Sequence, residues 1–312
     1  MGASMGGERE GMREWQAFVE YLTVMKGASP NTVAAYGRDV KAFVKAVGRP
    51  LGEVSVADVE LWIEGLSRID NSARSVARKL SAVRSFYRFL LERGWVPGDP
   101  TEGVAMPKLP QTLPKALSVA DVKKLLLAPL GSTPAEVRLR LVLHLLYATG
   151  LRVSELCNLS LDAVSDGEGV VLRVTGKGGK TRMVPLGAVA AGTLREYLAV
   201  ARPRLKGAQG PWLLASPDGR KPLSRVRVFQ LIKDAGARVG VEVAPHHLRH
   251  TFATHLLEND ADLRAVQVML GHASLNTTQI YTKIAGERLR ETLEKHHPLS
   301  ATHYGKKGGG RL

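Results

Sequence analysis

Cysteine is nearly absent from the 312-residue chain, in which Cys157 is the single example. One cysteine excludes an internal disulfide and a thiolate metal cluster, and it is consistent with a reducing compartment. Long apolar runs are absent as well: no stretch approaches the ~18 apolar residues of a membrane-spanning helix, and Met1 to Glu10 lacks the pattern of a signal peptide. The sequence therefore predicts a cytoplasmic protein that does not cross a membrane, with Cys157 as a small buried apolar side chain.

Acidic residues are few relative to basic ones, with 29 Asp and Glu against 44 Lys and Arg and a formal net charge of +15. A surplus of this sign favours polyanionic partners, either nucleic acid or an anionic membrane surface. Hydrophobic residues still make up 44% of the chain, which is typical of a globular protein and not of a disordered basic tail. The positive charge is therefore expected on a folded surface.

A proline-rich stretch divides the sequence, because Trp95 to Pro114 contains five prolines, a density that helices and central strands do not tolerate. Up to residue 110 there are 15 basic and 13 acidic residues, whereas 29 basic and 16 acidic residues follow. We predict two domains and a tail, which suits the length. The predicted boundaries are an N-terminal domain at 1–106, a linker at 107–116, a C-terminal domain at 117–298 and a flexible basic tail at 299–312.

Hydrophobic periodicity predicts four helices and no strand in the first domain. The fourth, at Ala73–Arg93, is a basic amphipathic helix in which four arginines share an arc of about 120° opposite an apolar face. A solvated charged face is the ordinary interpretation of such a helix alone, but the net charge of the chain favours contact with a DNA backbone. The candidate DNA-binding residues are Arg74, Arg78, Arg84 and Arg88.

The second domain has a mixed pattern. Two β-branched runs, Gly169–Thr175 and Thr181–Leu186, flank a glycine-rich loop and predict a β-hairpin. Helical periodicity surrounds this hairpin and ends with predicted helices at Asn276–Ile284 and Glu287–Lys295. The expected fold class is mainly α, with a four-helix N-terminal domain and a mixed α+β C-terminal domain that contains a small β-hairpin sheet.

Several polar residues of the second domain could act on a phosphate. Arg152 stands at a turn just before a helix, where a guanidinium can meet a phosphate near backbone amides. Lys177 lies at the tip of the hairpin loop, from which an ammonium could give a proton to a leaving oxygen. A Walker-type nucleotide loop is a poor alternative, because a strand and not a helix follows the lysine. A solubilising turn is the other alternative.

A histidine and an arginine share one face at the start of a later helix. His246 and Arg249 are three residues apart, which suits proton transfer beside a bound phosphate. A metal site through His246 and His250 is the competing interpretation, but the glutamate of the H-E-x-x-H pattern is missing and the neighbouring arginine would repel a cation. We predict no metal and no cofactor. Further on, His272 follows a glycine turn and Tyr281 lies nine residues later; a lone tyrosine is usually a core or surface residue.

In their order along the chain, these residues resemble the tyrosine recombinase family, also called phage-integrase-like recombinases. The family pattern is an arginine, a lysine, H-x-x-R, a histidine or tryptophan, and a tyrosine. Phrases around these positions, such as Thr277-Thr278-Gln279-Ile280-Tyr281, look like the bacterial Xer branch, and Ser29-Pro30-Asn31-Thr32 is similar to the start of the family's helical, SAM-like core-binding domain. The matching residues here are Arg152, Lys177, His246, Arg249, His272 and Tyr281.

The resemblance implies a role for each residue. Arg152 and Arg249 would hold the scissile phosphate, and His272 would donate a further hydrogen bond to it. Tyr281 would be the nucleophile that forms a 3′-phosphotyrosyl intermediate without metal or ATP. Proton transfer would fall to His246 as the base and to Lys177 as the acid that protonates the departing 5′-hydroxyl. Glu155, three residues after the first arginine, would orient the arginine or histidine, or it is simply a surface acid.

The resemblance also implies partners and a cellular role. The partner would be double-stranded DNA with a specific site, bound by a homo- or hetero-tetramer that passes through a Holliday junction. The segment at Glu287–Lys295 would dock on a neighbouring protomer or on its own domain. The leading interpretation is chromosome dimer resolution at cell division, in which a septal DNA translocase could take part. A phage or mobile-element integrase, a type IB topoisomerase and an architectural DNA-binding protein remain alternatives.

Overall fold

The computed structural model describes residues 2–26, 28–68, 72–108, 116–167, 169–176, 179–271 and 283–300, with side chains described from residue 11 and, in the last segment, from residue 289. The chain divides into two compact units, Met1–Thr112 and Leu113–Leu312. The predicted linker at 107–116 lies mostly outside the described residues.

The described part of the first unit contains four α-helices, as the periodicity predicted. Helix α2 shows how the sequence sets the boundaries: Ser29 accepts a hydrogen bond from the Thr32 N–H, Pro30 fills the first turn, and Gly48 ends the helix with a φ of 60°. The helices are α1 at Gly2–Val24, α2 at Pro30–Val47, α3 at Val56–Arg68 and α4 at Ala73–Glu92.

Helix α4 supplies the centre of the first unit's core. Its predicted apolar face is buried, and Phe86 and Phe89 pack their rings at 5.2 Å and 5.7 Å from the ring of Phe18 on α1. Burying one such side chain contributes about 1.5–3 kcal/mol, so the face opposite the arginines fixes how α4 sits in the bundle. The buried residues of that face are Val76, Leu80, Val83, Phe86, Tyr87 and Leu90.

The second unit surrounds a helix whose C-terminal part is buried on every side. Residues 141–150 of helix α6 and its C-cap are all buried, as expected for a helix at the centre of a core. The α-helices described in this unit are α5 at Val119–Leu127, α6 at Pro134–Thr149, α7 at Val153–Cys157, α8 at Ala188–Glu196, α9 at Arg225–Arg238, α10 at Pro245–Glu258, α11 at Leu263–Leu270 and α12 at Lys283–His296.

A small antiparallel sheet packs beside these helices. Strands β2 at Val170–Thr175 and β3 at Thr181–Pro185 form the predicted hairpin, with Leu172 opposite Val184. A third strand, β1 at Val164–Asp166, pairs with β2, and the sequence did not predict it. Three residues are too few for a period-2 pattern to be visible. The mainly α, two-domain fold class with a small sheet is confirmed.

Two predictions for the second unit need correction. The segment from Lys283 to His296 is one helix, whereas the sequence predicted two, and most of the first predicted helix (Asn276–Ile284) lies outside the described residues. Leu299 and Ser300 are buried, so the predicted flexible tail cannot begin at residue 299. Leu299 joins the main hydrophobic core of the unit, so apolar burial holds the chain at the start of the predicted tail. The rest of that tail, at 301–312, lies outside the described residues.

Two sequence-level expectations concern burial and membranes. Cys157 is buried, and burial raises the pKa of its thiol to about 11. No helix in the described ranges is long and apolar enough to cross a bilayer.

Candidate active site

Arg152 is held by a carboxylate three residues further along. It stands at the N-cap of α7, where its backbone N–H donates to Glu155 Oε2 at 2.8 Å and its Nη1 donates to Glu155 Oε1 at 2.8 Å. The Arg152 side chain remains 43% exposed while that of Glu155 is 4% exposed. Glu155 therefore fixes Arg152 through its backbone N–H and one side of its guanidinium, and the rest of the guanidinium is open to a ligand. The alternative that Glu155 is a surface acid is wrong, because its side chain is buried.

Arg182 binds the same carboxylate from strand β3. It lies on β3 with 6% exposure, and its Nη1 and Nη2 donate to Glu155 Oε1 and Oε2 at 3.0 Å and 2.9 Å. Its Nε donates to the Met269 carbonyl at 2.9 Å. Burial alone would raise the pKa of Glu155, but the hydrogen bonds from Arg182 and Arg152 outweigh burial and hold that pKa below its usual value. Glu155 is therefore a carboxylate at neutral pH.

Arg249 reaches the same region from helix α10. Its Nη1 donates to the Gly150 carbonyl at 2.6 Å and its Nη2 to the Leu270 carbonyl at 2.8 Å. Burial, and then the positive charges of Arg152 and Arg182, lower the pKa of Arg249 to about 10. The guanidinium still carries its proton at neutral pH, so the site keeps this charge without a carboxylate to neutralise it.

The backbone around Arg249 requires glycine. Gly150 ends α6 with a φ of 61°, and a Cβ added there would stand 2.5 Å from Cδ1 of Phe252. Only glycine combines this left-handed conformation with so close an approach, which turns the chain toward Arg152. Pro245 opens α10, so His246 and Arg249 follow in its first turn, on the same face. His246 is exposed, and its ring centroid lies 4.1 Å from that of His247.

The remaining three predicted residues, Lys177, His272 and Tyr281, lie outside the described residues. The residues that precede Lys177 and His272 nevertheless border the charged cluster. A Cβ added at Gly176 would lie 3.5 Å from Glu155 Oε1, and one added at Gly271 would lie 3.0 Å from Arg182 Nη1. The chain thus passes the cluster immediately before Lys177 and immediately before His272.

The described part of the cluster carries a positive surplus. Three guanidiniums (Arg152, Arg182 and Arg249) surround one carboxylate, which leaves two positive charges uncompensated. Such a site attracts an anion that bears one charge in its ground state and two in its transition state, as a phosphodiester does under nucleophilic attack. Among the described residues, no group of three or more His, Cys, Asp and Glu side chains could hold a metal ion.

Sequence reasoning missed Arg182, although a signal for it was present. On β3 the inward positions alternate, and Arg182 shares its face with Val184, which is fully buried. A charged residue at an inward position of a half-buried strand must be paired, because an isolated buried charge is costly. The pattern could have shown that Arg182 needs a carboxylate, but not which one.

The four arginines predicted to bind DNA on α4 have different environments. Arg78 pairs with the buried Asp39, and Arg84 donates to the carbonyl of Val104. Arg74 and Arg88 are exposed and make no side-chain hydrogen bond or ion pair with any described residue. Two of the four thus hold the unit together, and two are available at its surface.

Comparison with known proteins decides the family. The sequence profile of the phage integrase family matches residues 115–288, and that of the phage integrase N-terminal SAM-like domain matches residues 15–94. The chain belongs to the phage integrase family. The matched ranges contain the described site residues, and the second profile agrees with the predicted SAM-like N-terminal domain.

Within the phage integrase family, the chain resembles one group of relatives over most of its length. Tyrosine recombinase XerD of Caulobacter vibrioides is 42% identical over 293 residues, which cover 91% of this chain and 95% of that protein. Tyrosine recombinase XerD of Pseudomonas aeruginosa is 44% identical over 291 residues, covering 90% and 96%. The predicted resemblance to the Xer branch of the tyrosine recombinases is confirmed.

The fold of this phage integrase family member is also found in solved structures. A lambda integrase dimer bound to a COC′ core site matches with a TM-score of 0.66 and 23% identity, over 87% of this chain and 97% of that chain. An integrase from mycobacterium phage Brujita matches with a TM-score of 0.50 and 27% identity, over 94% of each chain. The first match shows the shared fold alone.

Proposed function

We propose that the arginine cluster binds the scissile phosphodiester of a specific DNA site while Tyr281 attacks it. As a Xer-type tyrosine recombinase, the chain catalyses DNA strand cleavage and rejoining. The observation that carries the residue-level proposal is the pair of guanidiniums, Arg152 and Arg249, each anchored by protein acceptors with a net surplus of two positive charges around them. Anchored cations stabilise growing negative charge without reorganising during the reaction.

The two arginines act on the non-bridging oxygens. Arg152 is open to solvent on one side and tied to Glu155 on the other, so its free N–H groups can donate to a phosphate in a fixed direction. Arg249 is tied to two carbonyls, which orient it and leave its charge for the substrate. His272 adds a hydrogen bond to the same phosphate.

The bond changes need one base and one acid. His246 takes the phenolic proton of Tyr281, whose pKa in water is about 10. The Tyr281 oxygen forms a bond to phosphorus as the bond from phosphorus to the 5′-oxygen breaks, and Lys177 gives its proton to that oxygen. The 3′-phosphotyrosyl product conserves the phosphodiester energy. A 5′-hydroxyl of a second strand can therefore reverse the steps without ATP.

Strand exchange requires partners in addition to the chemistry. We propose that a homo- or hetero-tetramer binds two copies of a specific double-stranded site in the cytoplasm and passes through a Holliday junction. The similarity to proteins named XerD over about nine-tenths of the chain supports a role in resolving chromosome dimers, with a septal DNA translocase as a candidate activator. Phage or mobile-element integration uses the same site chemistry and is the alternative.

Covalent trapping tests the proposal. A nicked suicide DNA that carries a candidate chromosomal recombination site is incubated with the protein in EDTA and run on a denaturing gel. Wild type should give a slow-migrating adduct, and Tyr281→Phe should give none. Tyr304→Phe is the matched control, because it removes a tyrosine that lies later in the sequence and outside the family motif, and it should leave the adduct intact.

Other outcomes identify other functions. An adduct that survives Tyr281→Phe and disappears in Tyr304→Phe would show that Tyr304, and not Tyr281, is the nucleophile. If wild type binds the DNA and forms no adduct, even with a related partner recombinase present, the result favours the alternative of an architectural DNA-binding protein. Intermolecular strand exchange between two labelled duplexes separates a recombinase from a type IB topoisomerase, which relaxes one duplex.

A further inference from the structure

We propose that Arg182 is a positioning residue for DNA cleavage, which holds the Glu155 carboxylate so that Arg152 presents its guanidinium to the scissile phosphate. The family motif does not include this arginine. The inference rests on the proposed function of the site, and it assigns the buried end of the site a role in the reaction.

The Glu155 carboxylate accepts four hydrogen bonds. Oε1 accepts from Arg152 Nη1 and Arg182 Nη1, and Oε2 accepts from the Arg152 backbone N–H and Arg182 Nη2, with all four distances between 2.8 and 3.0 Å. A carboxylate has about four acceptor positions, so Glu155 has a single favourable orientation. That orientation fixes the Arg152 side chain, whose outer part remains exposed.

Arg182 also connects the two arginines that face the substrate. Its Nε donates to the carbonyl of Met269, and the next carbonyl along, that of Leu270, accepts from Arg249 Nη2. The end of α11 therefore joins Arg182 to Arg249, just as Glu155 joins Arg182 to Arg152. The buried guanidinium of Arg182 therefore sets the relative positions of the Arg152 and Arg249 guanidiniums.

Charge gives a second reason for an arginine at this position. Without Arg182, the carboxylate of Glu155 would offset one of the two remaining guanidiniums and halve the positive surplus of the described cluster. Arg182 is too buried to meet the phosphate itself. Its charge neutralises Glu155, so that the charges of Arg152 and Arg249 are left for the transition state.

A purely structural role is the competing explanation, and stability is a weak reason for such a cluster. A whole buried ion pair can often be replaced by apolar side chains with little loss of stability, because desolvation offsets the attraction between the charges, whereas removing one partner alone is destabilising. Val184, on the same face of β3, shows that this strand accommodates an apolar residue. The two explanations differ in whether the defect of a variant depends on the charge of the substrate.

The experiment compares suicide DNAs with a phosphodiester or a neutral methylphosphonate at the scissile position. The single-turnover rate of covalent adduct formation is measured for wild type, Arg182→Met and Arg182→Lys. Arg182→Met should lose about 10²- to 10³-fold on the phosphodiester, as for loss of one transition-state donor, and less than about tenfold on the methylphosphonate, which needs less positive charge. DNA affinity should change little.

The lysine variant separates charge from geometry. It keeps the positive charge but loses the two parallel bonds to Glu155, because an ammonium cannot form the guanidinium fork. Its rate on the phosphodiester should fall between those of wild type and Arg182→Met. If Arg182→Met fails to fold, Arg182→Lys carries the same comparison.

Two matched controls identify a loss of stability. Val184→Ala removes buried packing two residues away on the same strand, and Arg195→Met removes an exposed two-point ion pair with Asp166, at 2.8 and 2.7 Å. Both variants should affect the two substrates equally.

Three results are informative beyond the expected one. Equal losses on both substrates for the Arg182 variants would overturn the inference. A defect that disappears only on a substrate with a 5′-thiol leaving group would also overturn the inference. That result would mean that Arg182 supports Lys177, which protonates the 5′-oxygen, and not Arg152. If wild type forms no adduct at Tyr281 on either substrate, the proposed function itself fails, which is a distinct outcome.

Discussion

Arg249 differs from the other two arginines in the kind of acceptor that holds it. Its guanidinium is bound by the carbonyls of Gly150 and Leu270, which orient it without cancelling its charge. Burial lowers its pKa to about 10, three units above neutrality, so it stays protonated. A neutral acceptor pair is therefore how the fold preserves a full charge for an anionic ligand.

Replacing Arg249 by lysine should slow cleavage more than it weakens binding. An ammonium keeps the charge but cannot bind two carbonyls and a phosphate in one plane. We expect Arg249→Lys to reduce the single-turnover adduct rate by about 10²-fold with DNA affinity within a few-fold of wild type. Gel trapping and fluorescence anisotropy measure the two quantities. A variant that loses both in proportion would indicate a binding role alone.

The free energy of unfolding should fall at acid pH because of Glu155. Its pKa in the folded state lies below the unfolded value of about 4.3, so its contribution is present above that value and is lost as the pH falls through the folded pKa. Glu155→Gln leaves Arg182 buried without a full counter-charge, which costs about 3–5 kcal/mol at pH 7. Urea unfolding between pH 3 and 7 should show the two proteins converging at low pH. Parallel curves would contradict this.

At the scale of elements, helix α4 has two faces with separate tasks. Its apolar face was predictable because the period of an α-helix and the burial of apolar side chains are both local properties of the sequence. The division of its arginines was not, since the partners of Arg78 and Arg84 lie on other segments, at Asp39 and Val104. Pattern reasoning places side chains on a face, whereas their partners depend on how distant segments meet.

The arginines of α4 should therefore separate into two classes by mutation. Arg74→Gln and Arg88→Gln should each weaken DNA binding and reduce the salt slope by about one, because each removes one phosphate contact, with stability unchanged. Arg84→Gln should lower the stability of the first unit, because the Val104 carbonyl loses its donor. Anisotropy at several salt concentrations and urea unfolding distinguish the classes. Equal salt slopes for all of these variants and wild type would contradict a DNA contact here.

The same distinction explains what the sequence revealed of the active site. The ordered motif predicted Arg152, His246 and Arg249 as site residues, because a family resemblance is read along the sequence. It gave no indication of Arg182, whose two partners lie 27 and 87 positions away. Contacts of that range follow from the packing of β3 against α7 and the end of α11, which no local pattern encodes.

At the scale of the whole molecule, histidine is distributed unevenly. All nine histidines follow residue 113, so the first unit has none. Three in the second unit are buried with lowered pKa values: burial lowers that of His144 to about 4, that of His297 to about 3, and that of His255 in the same direction. Protonation of histidines in mild acid should therefore lower the stability of the second unit and leave that of the first unit unchanged.

His297 shows why its protonation is costly. Its Nε2 donates to the Tyr147 carbonyl at 3.1 Å, and its Nδ1 accepts from the Leu299 N–H at 3.1 Å. A second proton on Nδ1 would remove that acceptor and place a charge among Tyr147, Phe252 and His255. Because this histidine anchors the residues after α12 to α6, its protonation should release them first.

Acidification from pH 7 to 5 should therefore destabilise the second unit selectively. His144 and His297 titrate with pKa values near 6.5 when unfolded and of about 4 and about 3 when folded, so they are protonated first in the unfolded state. Stability therefore falls with pH in this window, by about 2 kcal/mol for each of these two residues. Hydrogen exchange with peptide mass spectrometry, corrected for intrinsic rates, should show protection falling in peptides from residues 116–300 and first in 289–300. His297→Gln, which can keep both hydrogen bonds, should remove the early loss. Equal losses in peptides from residues 11–108 would show that histidine burial does not control the acid response.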